Sequence, residues 1–183
     1  MSFPVHRQAH LWWQKRRHYE RNERLSRKAR VHWHFLRRDS YIRFPLNGNL
    51  LEALDEGRAE IGPWVLIERG CWFSLYPETA SMAIGEGTIL NLECMVAAAE
   101  RVEIGAHCMF ANHCFVTDAD HRFDDPELPI TWQGFNLRGP VTVGDNCWFG
   151  ANSVVTRDLP AHTIAAGSPA KVIKEIEFKS AAG

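Results

Sequence analysis

One histidine sits among carboxylates in the part of the sequence best suited to chemistry. His121 is flanked by four acidic side chains, namely Asp118, Asp120, Asp124 and Asp125. An imidazole can take up a proton near neutral pH, and a neighbouring carboxylate holds one tautomer and raises its basicity. His121 is therefore a candidate general base, with Asp120 as the carboxylate that orients its ring. A solvated surface histidine in an acidic loop explains the composition equally well.

Two His-Cys pairs raise the question of metal binding. His107-Cys108 and His113-Cys114 recur six residues apart. Adjacent residues of a strand point to opposite faces, and six residues carry the chain onto a different strand of a repeat structure. The four side chains therefore cannot easily converge within one subunit, and no metal site is predicted. Cys108 and Cys114 are interpreted as small buried residues, because a nucleophilic thiol would need a base in contact.

An apolar residue recurs at every sixth position through most of the chain. The series are Ile61, Ile67 and Phe73; Ile84, Leu90, Val96 and Val102; Ile104, Phe110 and Val116; and Val143, Phe149 and Val155. This period fits neither a helix nor an alternating strand. It is typical of hexapeptide β-helices, in which three short strands make one coil and the coils stack in parallel. A β-sandwich has no reason to keep one phase through four separate segments.

The interruptions of this rhythm divide the chain. The predicted parts are a helical arm at 1–44, a connector at 45–60, a β-helix at 61–175 with a loop insertion at 117–140, and a tail at 176–183. A short helical turn is expected at Leu50–Leu54, and a small bulge at Ser74–Thr79. Repeat proteins insert loops where they bind or react, so the insertion around His121 is the expected functional segment.

The arm and the body carry opposite charge. Residues 1–44 hold twelve Lys or Arg against three acidic residues, whereas the rest holds nine basic and nineteen acidic residues. We expect the arm to pack on its own body or on a neighbouring subunit, because their charges are complementary. No nucleic-acid or membrane partner is expected, although a basic arm with interleaved aromatic residues leaves such binding open.

Composition sets the remaining bounds. The 183 residues are 45% hydrophobic, which predicts one globular domain with an appendage. The sequence lacks a long apolar span and an apolar signal core. Its five cysteines have no disulfide-framework spacing. These features predict a cytoplasmic protein.

Four stretches of the sequence resemble the hexapeptide acyltransferases. They are residues 116–121, 144–150, 153–160 and 166–173, the last reading Ala-Gly-Ser-Pro-Ala-Lys-Val-Ile. The resemblance covers about 61–175 and is to the maltose and galactoside O-acetyltransferases and the related polysaccharide and antibiotic acetyltransferases. It implies an all-β fold, a left-handed parallel β-helix, and a homotrimer. It also implies acetyl-CoA as the donor, bound between two subunits.

The resemblance also implies roles for individual residues. His121 falls on the family's catalytic histidine, which takes the proton of an acceptor hydroxyl as that oxygen attacks the thioester. Asn91 falls on an acceptor-side asparagine, and Trp148 is a further candidate for the acceptor pocket. The stretches that line the CoA channel contain Gly150, Ala151, Thr156, Arg157, Gly167, Ser168, Pro169 and Lys171. Among these, Arg157 and Lys171 are the expected partners of the CoA phosphates. No metal is expected.

Two features depart from the family pattern. Ala97-Ala98-Ala99 stands where the sugar enzymes carry carboxylates, which argues against a maltose-like or galactoside-like acceptor. About one coil is missing after Gly150, yet the six-residue phase is kept across the join. The stack should therefore close without a bulge, while CoA should bind weakly.

The sequence thus predicts an acyl-CoA-dependent O-acyltransferase that acts on a sugar or another small hydroxylated acceptor. The alternative is a catalytically weak or inactive β-helix trimer whose basic arm makes it a binding module.

Overall fold

Three parallel β-sheets form the sides of a prism in this computed structural model, which describes residues 39–177. Sheet A contains β1 (Tyr41–Ile42), β4 (Leu66–Ile67), β7 (Ile89–Leu90), β10 (Met109–Phe110), β15 (Trp148–Phe149), β17 (Thr163–Ala166) and the antiparallel β18 (Lys171–Glu175). Sheet B contains β2 (Asn47–Gly48), β5 (Trp72–Leu75), β8 (Met95–Ala98), β11 (Phe115–Thr117) and β16 (Val154–Val155). Sheet C contains β3 (Ala59–Ile61), β6 (Ser81–Ile84), β9 (Arg101–Ile104) and β14 (Val141–Val143). The predicted all-β, β-helical fold class is confirmed.

The six-residue period selects the side chains that fill the prism. Phe110 and Phe149 pair in register on neighbouring strands of sheet A, and their rings stack with centroids 4.3 Å apart. Every member of the predicted apolar series is buried. Each coil covers the apolar interior of the next one, so the stability of a coil depends on its neighbours.

The five cysteines and several hydroxyl residues hold the corners of the prism from inside. We call the corners AB, BC and CA after the sheets that the chain joins there. At the AB corner the thiols of Cys71, Cys94 and Cys114 donate to corner carbonyls at 3.1–3.2 Å. At the CA corner Cys108 and Cys147 do the same at 3.2 Å. The interpretation of Cys108 and Cys114 as buried residues is confirmed.

These five thiols should be unreactive in the folded protein, because each cysteine is at most 2% exposed. The neighbouring Cys147 thiol, together with burial, raises the pKa of Cys108 well above the ordinary value, and Cys94 with burial does the same for Cys114. The Cys108 thiol in turn lowers the pKa of Cys147 to about 6, so burial rather than protonation protects the Cys147 thiol. A thiol-specific colorimetric reagent should therefore label almost no cysteine in the native chain and all five after unfolding. Rapid labelling of two or more thiols in the native protein would contradict this packing.

The β-helix begins before the boundary at residue 61. Strands β1 and β2 already belong to sheets A and B, so they occupy part of the predicted arm and connector. The period is hidden there because Gly48, opposite Phe73, has no side chain, and helix α1 (Leu50–Asp55) separates β2 from β3. The expected helical turn is thus confirmed, and its Leu50 lies in the core. Residues 1–38 and 178–183, most of the predicted arm and tail, lie outside the described residues.

The phase of the coils survives both interruptions. Residues 76–80 lengthen the turn between β5 and β6, but β5 stays in unbroken register with β8, so the predicted bulge is a longer corner. Before Gly150, β15 pairs with β10. After it, β16 pairs with β11, and Leu159 bridges to Val143 in parallel. The prediction that the stack closes without a bulge is confirmed.

The loop insertion forms a hairpin that leaves the prism at the BC corner. It contains β12 (Ala119–His121) and β13 (Phe135–Leu137), which pair antiparallel, and a 3-10 turn at Ile130–Trp132. Across residues 39–177, no helix is long and apolar enough to cross a membrane.

Candidate active site

His121 lies at the end of β12 with its side chain exposed. It stands directly opposite Phe135 on β13, and the two rings have centroids 4.9 Å apart at an interplanar angle of 30°. Since side chains alternate along a strand, His121 shares one face of the hairpin with Ala119, Phe135 and Leu137. Asp120 and Asn136 occupy the other face.

The carboxylate of Asp120 has a partner other than the histidine. Arg138 donates to it in a salt bridge on the opposite face of the hairpin. Within the described part of the chain, Asp120 makes no hydrogen bond to His121. The expectation that Asp120 orients the imidazole therefore has no support in the geometry, because adjacent residues of a strand point apart.

Asp118 fastens the hairpin to the prism. Its side chain is fully buried and accepts three backbone N–H groups, from Ala99 at 2.7 Å and from Glu100 and Arg101 at 2.8 Å each. The backbone N–H of Arg138 donates to its carbonyl at 3.0 Å. The sequence showed only another acidic neighbour of His121. A carboxylate two residues after the inward Val116, and so at the next inward position of the strand, was the available signal.

An open cavity of about 610 Å³ lies beside the hairpin face that carries His121. Its lining consists of Tyr76, Pro77, Thr79, Ala99, Glu100, Phe135 and Leu137. Ala99 belongs to the run of three alanines that stands where the sugar enzymes carry carboxylates. This difference from the sugar enzymes therefore lies in the cavity wall. The carboxylate of Glu100 makes no hydrogen bond or ion pair within residues 39–177. The cavity thus combines aromatic walls with one free acidic group.

The residues expected to bind CoA divide between two corners. Gly150, Ala151 and Gly167 lie at the AB corner, whereas Thr156 and Arg157 lie at the BC corner. A Cβ on Gly150 would lie 3.1 Å from the Ala166 Cβ, so a larger residue would crowd this corner. After Gly167, the segment Ser168–Lys171 returns along the end of the stack into β18.

The two acceptor-side candidates lie away from the cavity. Asn91 is at the AB corner, and its side-chain amide donates to the carbonyl of Phe110 at 2.6 Å, which ties it to the neighbouring coil. Trp148 is on the outer face of sheet A and is 46% exposed. A second groove, of about 640 Å³, follows the CA corner, and none of the predicted site residues lines it.

One subunit therefore does not bring all the candidate residues together. His121 stands at one edge of sheet B, and Gly150 and Gly167 stand at the other edge. The His-Cys pairs are similarly separated, with Cys108 at the CA corner and Cys114 at the AB corner. Among residues 39–177, no three His, Cys, Asp or Glu side chains are grouped to hold a metal ion.

Comparison with known proteins shows which proteins the chain is similar to. No protein-family model matches the chain. A protein of Mycobacterium tuberculosis named as a probable acetyltransferase is 30% identical over 183 residues, which cover 82% of this chain and 60% of that protein. A galactoside acetyltransferase in complex with coenzyme A is 26% identical, with a TM-score of 0.50, over 70% of this chain and 74% of that one.

The resemblance to the acetyltransferases is confirmed. The chain is similar to them in sequence and has their β-helical fold. The N-acyltransferase AntD of Bacillus cereus, in complex with dTDP and 3-hydroxybutyryl-CoA, shares that fold at 18% identity, with a TM-score of 0.55 over 76% of this chain and 81% of that one. The chain spans about six tenths of the length of three curated relatives that are named as probable or putative acetyltransferases.

Proposed function

We propose that the protein is an acyl-CoA-dependent O-acyltransferase with acetyl-CoA as its donor. The proposal is carried by one observation: His121 shares a hairpin face with two residues, Phe135 and Leu137, that wall a cavity at the BC corner. An acceptor in that cavity would place a hydroxyl on the side of the hairpin that carries the imidazole. Relatives named as acetyltransferases supply the reaction class.

In the proposed reaction, His121 takes the proton of the acceptor hydroxyl as the oxygen attacks the thioester carbonyl. A C–O bond forms, and the carbonyl electron pair moves onto the oxygen, where backbone N–H groups would stabilise the charge. The C–S bond then breaks as the carbonyl re-forms. The leaving thiolate takes the proton back from the imidazolium, so that the histidine is regenerated and free CoA is released.

The cavity lining suggests the class of acceptor. Tyr76 and Phe135 offer flat apolar surfaces, and Glu100 and Thr79 offer groups that can accept hydrogen bonds. A hydroxylated ring with one apolar face matches this combination. An amine would also be attracted by the Glu100 carboxylate, so amino sugars belong in the same test.

The donor is proposed to lie between subunits. The small residues Gly150, Ala151 and Gly167 would let the pantetheine arm approach the backbone, and Arg157 and Lys171 would contact the phosphates. Gly150, Ala151 and Gly167 lie at the AB corner, across sheet B from His121 and Arg157 at the BC corner. For one donor site to form between subunits, the assembly would have to bring the AB corner of one chain to the BC corner of another.

The outer surfaces of the sheets support such a ring. Apolar side chains point outward from two sheets: Ile89, Met109, Trp148 and Ile164 on sheet A, and Trp72, Met95, Phe115 and Val154 on sheet B. Sheet C instead presents Glu60, Ala83, Glu103 and Thr142. Apolar outer faces on a small protein indicate subunit contacts.

We expect Met109→Lys to weaken the trimer, because a charge would enter the apolar face of sheet A. Thr142→Lys places the same charge on the polar face of sheet C, beside Glu103, and should leave assembly unchanged. Light scattering at micromolar concentration measures both. A monomeric wild-type protein would contradict the trimer, and equal behaviour of the two variants would contradict the proposed contact face.

The activity itself is tested by the release of free CoA thiol from acetyl-CoA. The panel should contain neutral sugars, amino sugars and simple alcohols. We expect acceptor-dependent release that is strongest with hydroxylated ring compounds. A correctly assembled protein that shows no acceptor-dependent release, but binds DNA or anionic vesicles, would favour the binding-module alternative.

A further inference from the structure

The imidazole of His121 has one well-defined neighbour, and that neighbour is an aromatic ring. Phe135 lies directly across the hairpin, with the ring centroids 4.9 Å apart. Asp120, the carboxylate nearest in sequence, is held by Arg138 on the opposite face. The Asp118 carboxylate is turned inward and accepts hydrogen bonds from three backbone N–H groups. The two nearest carboxylates on the amino-terminal side are thus committed elsewhere.

We propose that Phe135 is the positioning residue for His121, a role that rests on the proposed function of this histidine as the general base. An exposed histidine on a two-stranded ribbon can populate several rotamers, only some of which point at a bound acceptor. A flat ring at this distance favours an offset or tilted arrangement, which restricts the imidazole to the orientations that keep the contact. Orientation of the base then comes from packing rather than from a carboxylate.

Phe135 also connects the base with the acceptor cavity. One part of its surface contacts the imidazole, and another part lines the cavity. Leu137 provides a matched comparison, because it lies two residues further on the same face and lines the same cavity, but stands opposite Ala119. A change at Leu137 therefore alters the cavity without removing the ring contact.

The test compares Phe135→Ala, Phe135→Tyr and Leu137→Ala in steady-state kinetics on the full chain. Both sites are on an exposed hairpin, so the three variants should fold. We expect Phe135→Ala to lower kcat by about 3- to 10-fold, the loss that an aromatic pair of this kind accounts for. Phe135→Tyr keeps the ring and should restore kcat. Leu137→Ala removes part of the cavity wall but keeps the ring contact, so its effect should fall mainly on KM for the acceptor.

A double variant and an NMR measurement separate positioning from general damage. In the His121→Ala background, Phe135→Ala should cause no further loss of kcat, because its effect passes through the histidine. The ring protons of His121 should also shift when the ring current of Phe135 is removed, and should not shift in Leu137→Ala. This second readout does not depend on turnover.

The outcomes distinguish the inference from the proposed function. Unchanged kcat in Phe135→Ala, together with a large loss in His121→Ala, would overturn the positioning role and leave the general base in place. An equal loss of kcat in Phe135→Ala and Leu137→Ala would also overturn the positioning role, because both variants remove side-chain packing from the hairpin but only Phe135→Ala removes the ring contact. An unchanged rate in His121→Ala would instead remove the proposed function.

Discussion

Replacing His121 with alanine is expected to lower the rate of acyl transfer by about two to four powers of ten. The side chain is exposed and its defined ring contact is Phe135, so its removal should leave the β-helix and its assembly intact. The loss should appear in kcat more than in KM, because proton removal is needed only as the hydroxyl attacks the thioester.

The measurement is CoA thiol release, with light scattering to verify assembly. His162→Asn is the matched control, because His162 is an exposed histidine in a left-handed turn at the CA corner, where asparagine is tolerated. Its rate should match wild type. Asp120→Asn should cost far less than His121→Ala, since the Asp120 carboxylate pairs with Arg138. An unchanged rate in assembled His121→Ala would remove this histidine from the mechanism.

Replacing Asp118 with alanine should destabilise the protein by at least about 3 kcal/mol, because three backbone N–H groups lose a charged acceptor at a buried corner. Asp118→Ala should also lower the rate of acyl transfer. Asp118 joins the β8–β9 corner to the start of the hairpin, and without it His121 and Phe135 would no longer be held against the cavity.

Urea unfolding at a fixed subunit concentration measures this effect, since assembly makes stability depend on concentration. Asp124→Ala is the matched control. Asp124 lies in the same excursion, and Arg122 lowers the pKa of its carboxyl, but the pair is on the surface and contributes little. Equal unfolding midpoints for Asp118→Ala and wild type would show that the three hydrogen bonds do not hold the corner.

The sequence by itself determined the interior of this protein. An inward side chain at Ile104, Phe110 and Val116 must recur with the coil, and that requirement is visible in the order of residues alone. The same rhythm located the excursion with His121 and predicted that the coils rejoin in phase after Gly150. Gly48 and helix α1 hid the first coil, because the glycine removes an apolar residue that the period needs and the helix lengthens the spacing between β2 and β3.

Only the tertiary structure decided what surrounds His121. The three backbone N–H groups that donate to the Asp118 carboxylate lie 17 to 19 residues earlier in the chain. They reach the carboxylate because the coils stack. Arg138 meets Asp120, and Phe135 meets His121, through the register of β12 and β13. A six-residue period reports which side chains face inward. It carries no information about which residues meet across a hairpin or between coils, since those contacts depend on the register and on the stacking of segments distant in the chain.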